Sequence, residues 1–270
     1  MSAFQVNYET IVRGLPEFGQ CAVLPWDSTF FGFKVGSYVP ADSLLLPVQP
    51  KELATALRTW MELRQVELLS CSVPAKSFAW ISWLGGAGFH FVDISLLALA
   101  RRLTSLPAAR IEVRPATDED LPALVEIAGT AFQFGRYHAD ARFPKAIADD
   151  RYRRWILNAM TGRSDREFVY VCGAKGLPKG FIHIVLEGTT ADLRLAAVDA
   201  AQNGGILGPG MFIGALRHMM AHGARTAKAR LSAGNTPVLN LYSSLDFAFQ
   251  EAVAVFHLHA PASRHLCPMA

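Results

Sequence analysis

Apolar and polar positions alternate at two periods along the chain, and the changes of period mark its elements. Residues 111–114 read as a strand running at once into Arg114-Pro-Ala-Thr-Asp-Glu-Asp-Leu-Pro. There Thr117 caps a helix, Asp120 takes the capping-box position, and Leu121, Leu124, Val125 and Ala128 form the apolar stripe. Residues 167–172 and 180–186 flank a Gly/Pro/Lys turn and predict an antiparallel hairpin. A third strand follows at 191–198, a helix at 211–222 ending at Gly223, and a fourth strand at 226–232. A short helix at 237–245 and a strand at 249–259 close the pattern.

The same order of elements occurs earlier, offset by about 160 residues. A helix at 51–64, a strand at 66–73, a helix at 75–84, Phe89 and a strand at 91–99 match 209–222, 224–232, 237–245, Phe247 and 249–259. The first half therefore reads as a partial copy of the second, with a junction at the Pro-rich residues 103–110. The expected division is 1–105, 106–260 and a tail, 261–270, in a mixed α/β fold with a mainly antiparallel sheet and flanking helices. One feature is not duplicated. Gly204, Gly205, Gly208 and Gly210 precede the second half's helix, whereas residues 44–50 contain no glycine.

Composition narrows the function classes. With 270 residues, 51% hydrophobic and 18% charged, the chain is long and apolar enough for a sizeable core, so disorder is excluded as the dominant state. A net charge of +3, without any basic stripe, argues against nucleic acid. Mean hydropathy is +0.21. Even so, Asp93, Ser82 and the Gly85, Gly86, Gly88 cluster interrupt the apolar stretches before a membrane span is reached, and no signal peptide is visible. Cys21, Cys71, Cys172 and Cys267 are too scattered for a disulfide framework or zinc site, and the whole reads as a soluble cytoplasmic protein with reduced thiols.

The glycines lie between a strand and a helix, where consecutive N–H groups suit a phosphate; neither the Walker nor the Rossmann spacing is present. Together with a short helix carrying Asn235 and Tyr242 before the final strand, this arrangement resembles the GNAT acetyltransferase superfamily. Its Gln/Arg-x-x-Gly-x-Gly/Ala loop falls here on Asn203, Gly204, Gly205, Ile206, Leu207 and Gly208, with Asn203 and Ile206 departing from the pattern. The resemblance implies acetyl-CoA or another short acyl-CoA as co-substrate. Backbone N–H groups on the strand Leu195 to Val198, with Ala197 and Val198 among the cofactor-binding residues, would then polarise the thioester, and Tyr242, spaced from Asn235 as in the superfamily, would be the general acid.

Three further stretches resemble the TDP-fucosamine acetyltransferase family: Leu24-Pro-Trp-Asp-Ser-Thr-Phe-Phe-Gly, Gly88-Phe-His-Phe-Val-Asp-Ile-Ser-Leu, and Ala131-Phe-Gln-Phe-Gly-Arg-Tyr-His-Ala-Asp-Ala-Arg-Phe-Pro. The implied acceptor is the amine of a nucleotide-linked amino-dideoxy sugar, used in building surface polysaccharide. Arg136 and Arg142 suit its diphosphate, His138 and Asp140 its hydroxyls or amine, and Tyr137 or Phe143 its pyrimidine. His138 ranks first as base and His183 second. Trp26, Phe30 and Phe31 read as core packing, and Asp27 and Ser28 as an Asx-type turn. The pairs His218/His222 and His257/His259 have metal-ligand spacing, but with no Cys or carboxylate to complete them no metal is expected. A small amine as acceptor, or a GNAT-fold module that has lost catalysis, are the competing readings. The superfamily also implies pairing of two subunits through a sheet edge, without a residue here that identifies it.

Overall fold

The computed structural model describes residues 6–11, 16–46, 49–103, 106–162, 164–199, 201, 205 and 207–261. Its strands are β1 (Glu9–Thr10), β2 (Gln20–Val23), β3 (Lys34–Val39), β4 (Val66–Pro74), β5 (His90–Ala100), β6 (Val113–Pro115), β7 (Glu167–Ala174), β8 (Leu177–Glu187), β9 (Thr190–Val198), β10 (Thr226–Ser232) and β11 (Ala248–His259). Its helices are α1 (Pro25–Phe31), α2 (Pro50–Arg64), α3 (Phe78–Gly86), α4 (Leu121–Ala131), α5 (Arg136–Ala139), α6 (Lys145–Thr161), α7 (Leu207–Ala221) and α8 (Thr236–Ser244). No helix among the described residues is long and apolar enough to cross a membrane. Cys21, Cys71 and Cys172 are buried free thiols.

The chain forms two compact units: Met1–Ser95 with Ala139–Phe143 and Glu251–Ala270, and Leu96–His138 with Pro144–Gln250. These differ from the linear division expected at 105/106, and they send most of β11 to the first unit. There β11 pairs antiparallel with β4, from Val253↔Pro74 to His259↔Leu68. In the same unit β1, β2 and β3 are antiparallel neighbours and β3 runs parallel to β4. α2 starts at Pro50, ends on Gln65 in the left-handed conformation, and buries Leu53, Leu57, Trp60 and Met61 on one face. Burial of each such side chain stabilises by about 1.5–3 kcal/mol. Asp27 and Ser28 lie inside α1 rather than in an Asx turn. Pro25 opens that helix, Gly32 closes it at φ 74°, and Ser28 Oγ accepts from Val35 N at 2.9 Å.

The second unit orders its strands β10-β9-β8-β7-β6, antiparallel except for the β9/β10 pair. The capping box at Thr117 and Asp120 forms, with Thr117 N donating to Asp120 Oδ2 at 2.8 Å. Arg114 grips the same carboxylate with both guanidinium nitrogens and holds it well below the usual range. α7 ends at Ala221, and Gly223 turns the chain just beyond it at φ 92°. Two glycines on α7 serve packing: a Cβ would stand 2.3 Å from Ile111 Cγ1 at Gly210 and 2.5 Å from Val113 Cγ2 at Gly214. α6 was not foreseen, although Ala148, Ile156, Ala159 and Met160 give it a helical apolar face.

Candidate active site

The site starts from an interruption in strand pairing. β9 and β10 are in register only from Thr190↔Thr226 to Leu193↔Ala229. Both strands continue past that point, and residues 193–198 and 230–232 line a cleft of about 760 Å³. A bulge lies at the divergence: His183 faces Leu195 and Ile184 faces Leu193, leaving Arg194 as the extra residue. A bulge bends its strand and raises the local twist. It also reverses the faces, because Leu193 packs in the core containing Met211 and Phe212 while Leu195 and Ala197 pack in the core containing Leu124 and Ile156. From Leu195 to Val198, β9 remains bonded to β8 along its other edge, so its second edge is directed at the cleft.

Gly205, Gly208 and Pro209 bring the head of α7 to the same cleft. Unsatisfied N–H groups and the positive end of the helix dipole make that end suited to a diphosphate. A Cβ on Gly208 would meet only Val198 Cγ2, at 4.0 Å, which leaves this wall close to bare backbone. Of the other expected cofactor residues, Ala197, Val198 and Asn235 line the cleft and Leu207 begins α7. Asn203, Gly204 and Ile206 lie outside the described residues.

α8 supplies another wall. Asn235 caps it, its Oδ1 accepting from Val238 N at 3.3 Å, and Val238, Leu241 and Tyr242 line the cleft. Tyr242 is only 4% exposed, edge-on to Phe212 at 5.6 Å and 4.8 Å from the Phe247 ring. Burial, and then the negative charge of Asp192, push its hydroxyl well above the ordinary tyrosine range, so the phenol stays protonated at neutral pH.

An aromatic wall comes from α4, α6 and the residues after α4. Phe132 stacks on Tyr152 at 4.2 Å, Tyr152 lies parallel to Trp155, and the exposed Phe134 joins them along the cleft. Sequence reasoning quoted Phe132 and Phe134 within the Ala131 stretch without giving them a role, and it missed Tyr152 and Trp155. The helical spacing of Tyr152, Trp155, Ile156, Ala159 and Met160 was the available signal, hidden by the charges from Asp149 to Arg154.

The six expected substrate residues divide between the units, and none is a lining residue of the cleft. Tyr137 is buried with Arg136 and Arg151 over its ring, at 4.8 and 5.0 Å, and its hydroxyl accepts from Arg136 at 3.0 Å. His138 stacks on cleft-lining Tyr152 at 5.7 Å and its Nε2 lies 2.9 Å from Asp149 Oδ1. His183, the other candidate base, is buried with Nε2 2.7 Å from Glu167 Oε1. Its burial disfavours the imidazolium and lowers its pKa.

In the first unit, Phe143 is buried 5.1 Å from Phe31, Arg142 is exposed, and Asp140 is buried. Asp140 supplies the carboxylate that the sequence could not place beside a histidine pair. Its Oδ2 lies 2.7 Å from His257 Nδ1 and 2.8 Å from His259 Nε2. Burial opposes its ionisation, but hydrogen bonds from both histidines and from Arg142 N hold it well below the usual carboxylate range. The three groups offer ligand atoms within 4.8 Å and could hold a metal, although both short distances go to one oxygen, as in a carboxylate bonded to two imidazoles. His218 is engaged elsewhere, 2.8 Å from Val113 O, and His222 packs on Phe168.

No family model matches the chain. The structure superposes on a GCN5-related N-acetyltransferase from Sphaerobacter thermophilus with a TM-score of 0.65 at 14% identity, covering 89% of this chain and 76% of that one. The chain has the GNAT fold. A tandem GNAT protein from the clavulanic acid biosynthesis pathway aligns with a TM-score of 0.55 at 15% identity, over 90% of this chain and 80% of the other. In sequence the chain is 27% identical over 221 residues to a dTDP-fucosamine acetyltransferase of Escherichia coli O6:H1, covering 81% of this chain and 89% of the relative. The GNAT fold agrees with the superfamily resemblance read from the sequence, and the similarity to a dTDP-fucosamine acetyltransferase agrees with the narrower one.

Proposed function

We propose that the protein moves an acetyl or other short acyl group from acyl-CoA to the amine of a nucleotide-linked, dTDP-type amino-dideoxy sugar. The observation that carries this reading is the cleft between the separated ends of β9 and β10, lined by the head of α7 and by the buried Tyr242. The diphosphate of CoA lies at the α7 N-terminus, and the thioester beside the free edge of residues 195–198, whose N–H groups polarise its carbonyl. The acceptor takes the aromatic end, where Phe134, Phe132 and Trp155 offer faces to a pyrimidine; Tyr137 and Phe143, first considered for this, are buried. Attack by the neutral amine forms the C–N bond and breaks C–S, and Tyr242, protonated at neutral pH, donates to the departing sulfur. Similarity to the dTDP-fucosamine acetyltransferase supports the acceptor class.

The test is thiol release from acetyl-CoA in the presence of a panel of dTDP- and UDP-linked amino sugars. Release with a dTDP-4-amino sugar, and less with its UDP counterpart, is expected. Absence of release across the panel, in protein that binds acetyl-CoA, would overturn the acceptor assignment.

A further inference from the structure

A nucleotide-linked acceptor carries a diphosphate, yet neither arginine first expected to meet it lines the cleft: Arg136 lies over the Tyr137 ring, and Arg142 belongs to the first unit. Among the described residues that line the cleft, the charged ones are Arg194 and Arg230, and none is an acid. They stand on the two strands whose divergence opens it. The last β9/β10 pair is Leu193↔Ala229, and each arginine is the next residue of its strand. Leu193 and Leu231 pack in the core around Met211 and Phe212, so alternation along the strands turns Asp192 and Arg230 to the other face, where Tyr152 and Trp155 pack. Arg194, the residue of the bulge, is held to Asp192 on that same face.

Arg194 is fixed through a single nitrogen. Its Nη2 donates to Glu187 Oε1 at 2.8 Å and lies 2.9 Å from Asp192 Oδ2. Lys228 Nζ closes the ring, 2.6 Å from Glu187 Oε2 and 3.4 Å from Asp192 Oδ2, so the four charges balance. Nε and Nη1 of Arg194 make no hydrogen bond among the described residues, and the side chain is 41% exposed. A guanidinium stays charged when paired, and its remaining N–H groups are donors for phosphate oxygens. The position also sets this place apart from the one given to CoA. Four residues of strand, about 13 Å, separate Arg194 from Val198, which stands next to Gly208 at the head of α7.

We propose that Arg194 and Arg230 form the subsite for the acceptor's diphosphate, at the end of the cleft away from the diphosphate of CoA. This rests on the reading of the acceptor as a nucleotide-linked amino sugar. The aromatic wall then takes the pyrimidine, the two arginines the diphosphate, and the free edge of residues 195–198 the sugar amine beside the thioester. That order along the cleft is the order of the groups in the acceptor itself. The two arginines distinguish an acceptor that carries a diphosphate from the same sugar without one.

Two readouts on the whole chain test this. One is the ratio of kcat/KM for the best nucleotide-linked amino sugar of the panel to that for the same amino sugar as its methyl glycoside. The other is calorimetric binding of dTDP to protein saturated with CoA, which keeps the head of α7 filled. Arg194→Gln and Arg230→Gln should each lower the ratio and the dTDP affinity about tenfold or more, and the double variant further. Arg194→Lys, which keeps the charge but not the planar fork, should recover part of both. Acetyl-CoA affinity, retained in every variant, reports that the cleft is still folded. No dTDP binding by the wild type, an unchanged ratio in both single variants, or equal losses with the two acceptors would overturn the subsite while leaving acyl transfer in place. Absence of thiol release with every nucleotide-linked sugar, in protein that binds acetyl-CoA, would remove the acceptor reading and the subsite with it.

Discussion

The helix–strand–helix sequence α2-β4-α3 in the first unit and its counterpart α7-β10-α8 in the second share their element order, yet only the second borders the cleft described above. Strand length is one cause. In the first unit the parallel pair ends at Tyr38↔Cys71 and β3 stops one residue later, at Val39. In the second the pair ends at Leu193↔Ala229 and β9 runs on through Val198, which supplies a wall. The helix after the second strand is the other cause. Trp80 and Trp83 on α3 reach the segment ahead of α2 and that helix's first residue: Trp80 Nε1 donates to Asp42 O at 3.0 Å and Leu45 O at 3.1 Å, and Trp83 Nε1 to Pro50 O at 3.2 Å. The matching positions on α8 are Val238 and Leu241, which line the cleft. Where the second unit has Tyr242, the first has the core residue Leu84, and each accepts at its carbonyl from the phenylalanine N–H five residues on, Phe247 or Phe89. A duplicated scaffold thus becomes a closed core or a ligand cleft through a few side chains and a strand extension.

That contrast can be broken from either side. Tyr242→Phe should lower kcat by about 10²–10⁴ while leaving thermal stability nearly intact, measured by thiol release and calorimetry. Trp80→Ala should do the reverse, costing about 3–5 kcal/mol in denaturant unfolding with acetyl-CoA affinity retained in the folded fraction. Val238→Trp, which puts the first unit's closing residue into the second, should weaken acetyl-CoA binding about a hundredfold, roughly 2.7 kcal/mol. Acid should act through Asp140 in the first unit. Its carboxyl is depressed by folding, so the stabilisation is present above the unfolded value of about 3.9 and lost as pH falls below it; Asp140→Asn should flatten that loss in unfolding curves. The smallest effect concerns the turn before the shared phenylalanine, where Gly88 has φ 93° and Asp246 has φ 59°. Asp246→Gly should raise stability by about 0.5–1 kcal/mol, since a side chain there is strained.

Much of this was legible because the deciding signals are local. The capping box at Thr117 and Asp120, the apolar periods of β7 to β10, and the spacing from Asn235 to Tyr242 are read within a dozen residues. The repeat also survived as element order when identity had faded. What escaped was set by distance or by charge. Asp140 and His257 stand 117 residues apart, so only folding could complete that cluster. α6 presents Arg and Asp to solvent between its apolar positions, which concealed Tyr152, Trp155 and the partner of His138. The antiparallel pairing of β11 with β4 joins residues far apart in the chain, which no pattern within β11 decides.

A calorimetric titration of acetyl-CoA into the whole chain, repeated with Val238→Trp, tests the account most directly. One site per chain with micromolar affinity, lost in Val238→Trp, is the predicted result. Two sites per chain, no binding by the wild type, or binding unaffected by Val238→Trp would contradict the claim that the cleft of the second unit alone receives acyl-CoA.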